Sequence, residues 1–195
     1  MLIVGFGNPG PSYRHHRHNV GFMVLERLRM VTMASEWREK WSGLTCKGIV
    51  TGTPVTLLQP QTFMNKSGTS VQRAMLDLRL KPADVIVVHD ELERPFGSVR
   101  ARLGGGAAGH NGLRDTTAKI SADFVRIRVG IGRPAPPMAV DAYVLSSFDR
   151  DEQTALGAVL DESCALIERV IRDGIASVAQ DGTPSPKGQG RPRRD

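Results

Sequence analysis

Long apolar runs are missing from this 195-residue chain. With them goes any stretch of the ~20 consecutive apolar residues that a membrane-spanning helix needs. Cysteine is scarce: Cys46 and Cys164 are the whole complement, too few for a disulfide framework and suited to small core positions. There is no H-E-x-x-H and no ligand spacing around either cysteine, which argues against a metal. There is no G-x-S-x-G elbow, which removes the commonest serine-hydrolase arrangement. Ser12 and Ser67 stand in no recognised nucleophile context. A basic leader is missing too. Met1-Leu2-Ile3-Val4 turns at Gly5, so no signal peptide is expected and a reducing cytoplasm is the expected location.

What remains describes an ordinary globular chain, 40% hydrophobic and 24% charged, long enough for one domain with a full core. The formal net charge is +6. Lys187, Arg191, Arg193 and Arg194, against Asp195, supply half of it from the last thirteen residues. That segment has no apolar residue to bury, so residues 183–195 are expected to form a disordered basic tail behind a catalytic domain at 1–182. Within the domain, Arg94 to Arg133 holds eight basic residues and two acidic ones. A solvated face is the plain explanation; a polyanionic substrate is the better one only if a site calls for it.

Periodicity predicts the elements. Leu2 to Phe6 reads as a short buried strand, and Asn19 to Val31 as an amphipathic helix. Residues 44–50 and 54–59 read as a strand pair turned at Gly52-Thr53-Pro54. Met64, Gly68, Val71, Met75 and Leu78 mark one face of a second helix. Val85-Ile86-Val87-Val88 has the continuous apolar character of a strand buried on both faces. Ser98 to Leu103 and Val125 to Ile131 alternate, with arginines at 100, 102, 126 and 128 on one side. A third helix follows Asn111. Asp149 and Glu152 form a capping box that opens a long helix with Leu156, Val159, Leu160, Ile167, Val170 and Ile171 inward. The expected fold is a single-domain three-layer α/β/α globule, with a twisted mixed sheet and helices on both faces.

Chemistry-bearing residues gather in four stretches, each placed after a predicted strand: Gly5 to Gly10 running on to Arg17-His18-Asn19, Thr62 to Asn65, His89-Asp90-Glu91, and Gly104 to Gly112. Loops at the carboxyl ends of strands converge on one crevice. Gly5-x-Gly7-x-x-Gly10 matches a dinucleotide fingerprint. However, Pro9 and Pro11 spoil the helix start, and Glu26 lies in a predicted helix rather than at a strand end. Asn8, Asn65 and Asn111 each have a plain role as a turn or cap residue. Together they could cradle a carbonyl that gains charge. His18 alone has a structural reading as well as a chemical one. Asp90 improves its case, because a carboxylate on one ring nitrogen fixes the tautomer and stabilises the imidazolium formed when the other takes a proton. The residues therefore suggest metal-free hydrolysis of an acyl bond by water activated at His18.

At these residues the chain resembles bacterial peptidyl-tRNA hydrolases, from Leu2 to about Gly174. The family pattern is met by Gly7-Asn8-Pro9-Gly10, Tyr13, Arg17-His18-Asn19, Thr62 to Gly68, His89 to Leu92 and Gly109 to Gly112. The resemblance implies cleavage of the ester between a peptide and the 3′-terminal ribose of tRNA by a monomer without cofactor. It implies His18 as proton acceptor, Asp90 as its stabiliser, and Asn8 as the residue that separates N-blocked from free aminoacyl esters. Tyr13, Phe63, Met64, Asn65, His110 and Asn111 would contact the substrate. Arg102 and Arg128 match basic positions near the tRNA phosphates, and Arg100 and Arg126 are expected to join them. Three features depart from the pattern: His16 where Thr is frequent, Ala107-Ala108 after the triple glycine, and the basic tail. Two rivals stay open on sequence alone: a non-catalytic RNA-binding relative on the same fold, and a nucleotide enzyme.

Overall fold

A computed structural model describes residues 1–178; the expected tail at 183–195 lies outside them. Seven strands form one sheet in the order β2-β3-β4-β1-β5-β7-β6. They are β1 (Leu2–Gly5), β2 (Arg38–Lys40), β3 (Gly43–Val50), β4 (Thr53–Pro60), β5 (Val85–Glu91), β6 (Val99–Leu103) and β7 (Val125–Gly130). The four central strands β4, β1, β5 and β7 are parallel. β2 and β3 on one side and β6 on the other run antiparallel to their neighbours.

Every residue of β1 and β5 is buried, as a parallel core strand covered on both faces must be. The period of two sorts their side chains. Ile3, Ile86, Val88 and Ile127 face α1 (Val20–Val31) and α5 (Arg150–Asp173). Leu2, Val4, Val85 and Val87 face α2 (Ser67–Asp77) and α3 (Asn111–Ile120). The three-layer expectation holds. So does the capping box: Asp149 Oδ1 accepts from the Glu152 N–H at 2.9 Å, and Glu152 Oε2 accepts from the Asp149 N–H at 2.8 Å.

Three short elements were not anticipated. β2 is exposed Arg-Glu-Lys with no alternation to read. α4 (Val140–Val144) and α6 (Ile175–Val178) are shorter than the period that reveals a helix. The two asparagines are not caps: Asn65 lies inside a 3-10 turn ahead of α2, and His110, not Asn111, caps α3.

Two contacts set the site's position. α1 crosses the end of β1 backbone to backbone: a Cβ on Gly5 would lie 2.2 Å from the Gly21 carbonyl oxygen, and one on Gly21 would lie 2.4 Å from the Phe6 nitrogen. Only glycine at both positions lets α1 sit this close, and the turn ahead of it carries His18. The second contact corrects an expectation. β6 runs against β7, with Leu103 opposite Val125, so the glycine-rich loop leaves the sheet at the amino end of the parallel strands. It reaches the carboxyl end only by climbing the α3 face. Strand direction, which one sequence does not reveal, is the reason.

Candidate active site

His18 sits in a 3-10 turn, Arg17–Asn19, directly before α1. Its Nδ1 lies 2.9 Å and 3.0 Å from the two carboxylate oxygens of Asp90, a residue within β5 rather than after it. A carboxylate can only accept, so Nδ1 carries the proton and Nε2 is left as the basic nitrogen. Burial works against a charged His18, but the Asp90 charge and hydrogen bond, with Asp141 adding, outweigh it and raise its pKa. Burial likewise favours neutral Asp90, but its imidazole partners reverse that and hold its carboxyl well below the usual range.

His110 supplies a second constraint. Its Nδ1 accepts from the backbone N–H groups of Gly112 at 3.1 Å and Leu113 at 3.4 Å. That nitrogen therefore bears a lone pair, and the ring proton sits on Nε2, donated to Asp90 Oδ1 at 3.1 Å. His18, Asp90 and His110 present donor atoms within 4.8 Å of one another, which invites a metal. The tautomer argues against it, since a metal on Nε2 would require either an imidazolate or a clash of Nδ1–H with two backbone donors. His89 lies beneath His110, ring centroids 5.2 Å apart. Its Nδ1 donates to the Asp90 carbonyl at 2.7 Å, and burial chiefly, then the neighbouring His110 ring, pushes its pKa down to about 3.

Asn8 is held from both ends. Asn19 Oδ1 accepts from its N–H at 3.0 Å, and Asn19 Nδ2 donates to its carbonyl at 2.9 Å. The Met64 N–H donates to Asn8 Oδ1 at 2.8 Å. Because an N–H can only donate, the oxygen must face Met64, which leaves Nδ2 without a hydrogen-bond partner among the described residues. Asn19 stands in the Arg17-His18-Asn19 motif with no chemistry of its own to announce it; its two-point grip on the Asn8 backbone is a side-chain contact that local pattern does not encode.

His18, Asp90, His110, Asn111, Arg102 and Arg128 line a cavity of about 530 Å³. Asn8 lines a second hollow, of about 590 Å³, on the other flank of the same turn, with Asn19, Phe22, Trp37 and Gln59. Tyr13 and Phe63 meet edge to face, 6.4 Å between centroids, and Phe63 is exposed. Buried Met64 packs into the α2/α3 core. Asn65 is exposed and lines neither hollow. Asn111 is also exposed and accepts from Arg114 Nη2. Of the three asparagines, Asn8 is buried and anchored, whereas Asn65 and Asn111 are exposed.

The arginines divide as well. Arg100 and Arg102 are exposed, and Arg128 pairs with Glu91 at 2.9 Å. Arg126 departs from the expected phosphate contact. It is 3% exposed, its Nη1 donates to the Gly106 carbonyl at 2.6 Å and its Nη2 to Gly105, and its plane lies over Phe124. Its position inside β7 turns it under the glycine loop rather than toward solvent. Burial, then Arg102 and Arg128, lower its pKa.

A mixed sheet carrying a buried carboxylate–imidazole pair beside a cavity lined by both arginines and carboxylates is an arrangement suited to hydrolysis. Residues 2–188 match the family model described as Peptidyl-tRNA hydrolase. The peptidyl-tRNA hydrolase of Geotalea uraniireducens is 48% identical over 175 residues, 89% of this chain and 91% of that protein. That of Sorangium cellulosum is 42% identical over 190 residues, 96% of this chain and 85% of the relative. A crystal structure of the Acinetobacter baumannii peptidyl-tRNA hydrolase superposes with a TM-score of 0.81 at 34% identity, covering 92% of this chain and 94% of that one. A peptidyl-tRNA hydrolase in complex with n-propanol gives 0.85 at 35% identity, covering 90% of each chain. The chain belongs to the peptidyl-tRNA hydrolase family, whose members hydrolyse an ester bond.

Proposed function

We propose that His18 acts as general base on water in the hydrolysis of peptidyl-tRNA, without metal or covalent intermediate. Water oxygen attacks the ester carbonyl carbon while its proton passes to His18 Nε2. The tetrahedral intermediate collapses by breaking the bond to the ribose 3′-oxygen, which leaves with the proton from the imidazolium. The products are a peptide carboxylic acid, which then ionises, and tRNA with a free 3′-hydroxyl. Asp90 stabilises the imidazolium, and a ribose oxygen leaves more readily than an amine, so one base suffices. Asn8 Nδ2, with its carbonyl partner already committed to Met64, is the donor that reads a blocked amino end. Arg100, Arg102 and Arg128 meet tRNA phosphates, and Arg126 holds the glycine loop. A soluble monomer is the expected working form.

The observation that carries this reading is the contact of one His18 nitrogen with both Asp90 oxygens while the other has no partner among the described residues. A general base supplies roughly 10²–10⁴ in rate. His18→Ala should fold, bind tRNA and lose at least that factor on N-acetyl-aminoacyl-tRNA. A folded variant of normal turnover refutes the assignment.

A further inference from the structure

The residue before His18 is a buried arginine, and its side chain leaves the site instead of entering it. Arg17 is 5% exposed. Its Nη1 donates to Glu152 Oε1 at 2.8 Å, and its Nη2 lies 2.6 Å from Oε2, the two-pronged geometry that a guanidinium forms with a carboxylate. The guanidinium carbon stands 4.3 Å from the Tyr143 ring centre and 5.0 Å from that of Phe148. The Arg17 N–H donates to the Ser146 carbonyl at 2.9 Å, and His16 bridges to Ser147. The far end is fixed in turn. Glu152 Oε2 also accepts from the Asp149 N–H, and the Tyr143 hydroxyl donates to the Ile131 carbonyl at 2.5 Å.

We propose that Arg17 is a positioning residue for His18, a clasp that fixes the base-bearing turn to the corner between α4 and α5. The inference rests on the reading of His18 as the base. The turn is held at three successive residues in three directions: Arg17 to the α4–α5 corner, His18 to β5, Asn19 to the loop after β1. The middle contact is the chemical one. It is short at both oxygens only while the outer two hold the turn still. The same corner carries Asp141 and Val144, which wall the cavity beside His18. The clasp therefore sets the distance between base and wall together. A lysine in place of Arg17 would keep the charge but not the fork or the ring stacking.

The test uses Arg17→Lys and the near-isosteric Glu152→Gln, with kcat and KM on peptidyl-tRNA, the pH profile, an NMR titration of the His18 ring, and the melting midpoint. Misplacement of a catalytic group by about 1 Å costs up to roughly a hundredfold. Both variants should therefore lose between about tenfold and a hundredfold in kcat, with KM nearly unchanged. The His18 titration should move down as Asp90 on β5 loosens, with His110 and Asp141 the remaining facing groups. A folded variant with normal kcat and normal His18 titration overturns the inference. So does a lowered melting midpoint with the pH profile intact, and so does failure of Glu152→Gln to fold, since each assigns the pair to bulk stability. An active His18→Ala enzyme would sink the reading of the base itself. An inactive one beside unaffected clasp variants would sink this inference alone.

Discussion

Replacing Asp90 with asparagine changes one atom, yet the surroundings of that atom make the outcome severe. His110 is locked as an Nε2–H donor by the Gly112 and Leu113 N–H groups on its other nitrogen. The asparagine must therefore offer its oxygen at the Oδ1 position to accept from His110. Its amide nitrogen then takes the place of Oδ2, 3.0 Å from His18 Nδ1. The His18 Nδ1–H then keeps one acceptor, the oxygen at Oδ1 2.9 Å away, which it must share with His110, and the amide donor crowds it from the Oδ2 side unless Nδ1 gives up its proton. The arrangement that satisfies every group puts the His18 proton on Nε2, the nitrogen that must be free to take one from water. The variant thus loses imidazolium stabilisation and starts in the wrong tautomer, so the expected fall in kcat is the full general-base contribution, about 10²–10⁴. KM should hold, because Asp90 is buried beneath His18. Single-turnover hydrolysis of N-acetyl-aminoacyl-tRNA measures the loss, and ¹⁵N shifts of the His18 ring report the tautomer. An Nδ1–H ring in the variant, or a kcat within about tenfold of the parent, would refute the reasoning.

Arg126→Gln should leave the sheet intact but free the Gly105 and Gly106 carbonyls, so protease nicking within 104–109 should rise and kcat fall as His110 loosens; unchanged cleavage would deny Arg126 its loop role. Arg102→Glu should raise KM for full-length tRNA substrate and flatten the salt dependence, while sparing a short N-acyl ester; equal losses on both would place Arg102 in the catalytic centre or the fold. His89 is neutral when folded, with a pKa near 3 against 6.5 when unfolded. Its folded pKa is depressed, so the unfolded chain binds the extra proton and stability drains away as pH falls from about 6.5 toward 3, by a few kcal/mol in all. His89→Gln should flatten acid unfolding in that window, and an unchanged acid midpoint would contradict it. His18 contributes with the opposite sign, favouring the fold below its raised pKa and losing that contribution as pH climbs through it.

Much of this was legible in the sequence because local chemistry and global fold agree. The continuous apolar letters of β5 announced a strand covered on both faces, and Asp149 with Glu152 announced the start of α5. The pairing of His18 with Asp90 was legible because catalysis by an imidazole needs a carboxylate and the motifs offered this one. What was not legible depends on direction and depth. Nothing in Val99-Arg100-Ala101-Arg102-Leu103 says that the strand runs antiparallel. Alternation placed Arg126 and Arg128 on the same face but could not say that one would be sealed under a loop while its neighbour pairs with Glu91. Arg17 looked like motif filler because its partner lies 135 residues away.

The reversed edge strand gives the glycine loop the character of a tether. From Leu103, opposite Val125, the chain must rise to the level of Asp90, opposite Val129, a climb of about 13 Å at strand spacing. Six residues separate Leu103 from His110, and drawn taut they could span roughly 23 Å. The surplus is taken up by bends at Gly104, Gly105, Ala108 and Gly109, all at positive φ. Removing one or two residues would first straighten those bends and then drag the imidazole off its carboxylate. Adding residues would let it drift. The number of residues between 103 and 110 is thereby coupled to the proton chemistry at the summit, although none of the six carries a reactive group.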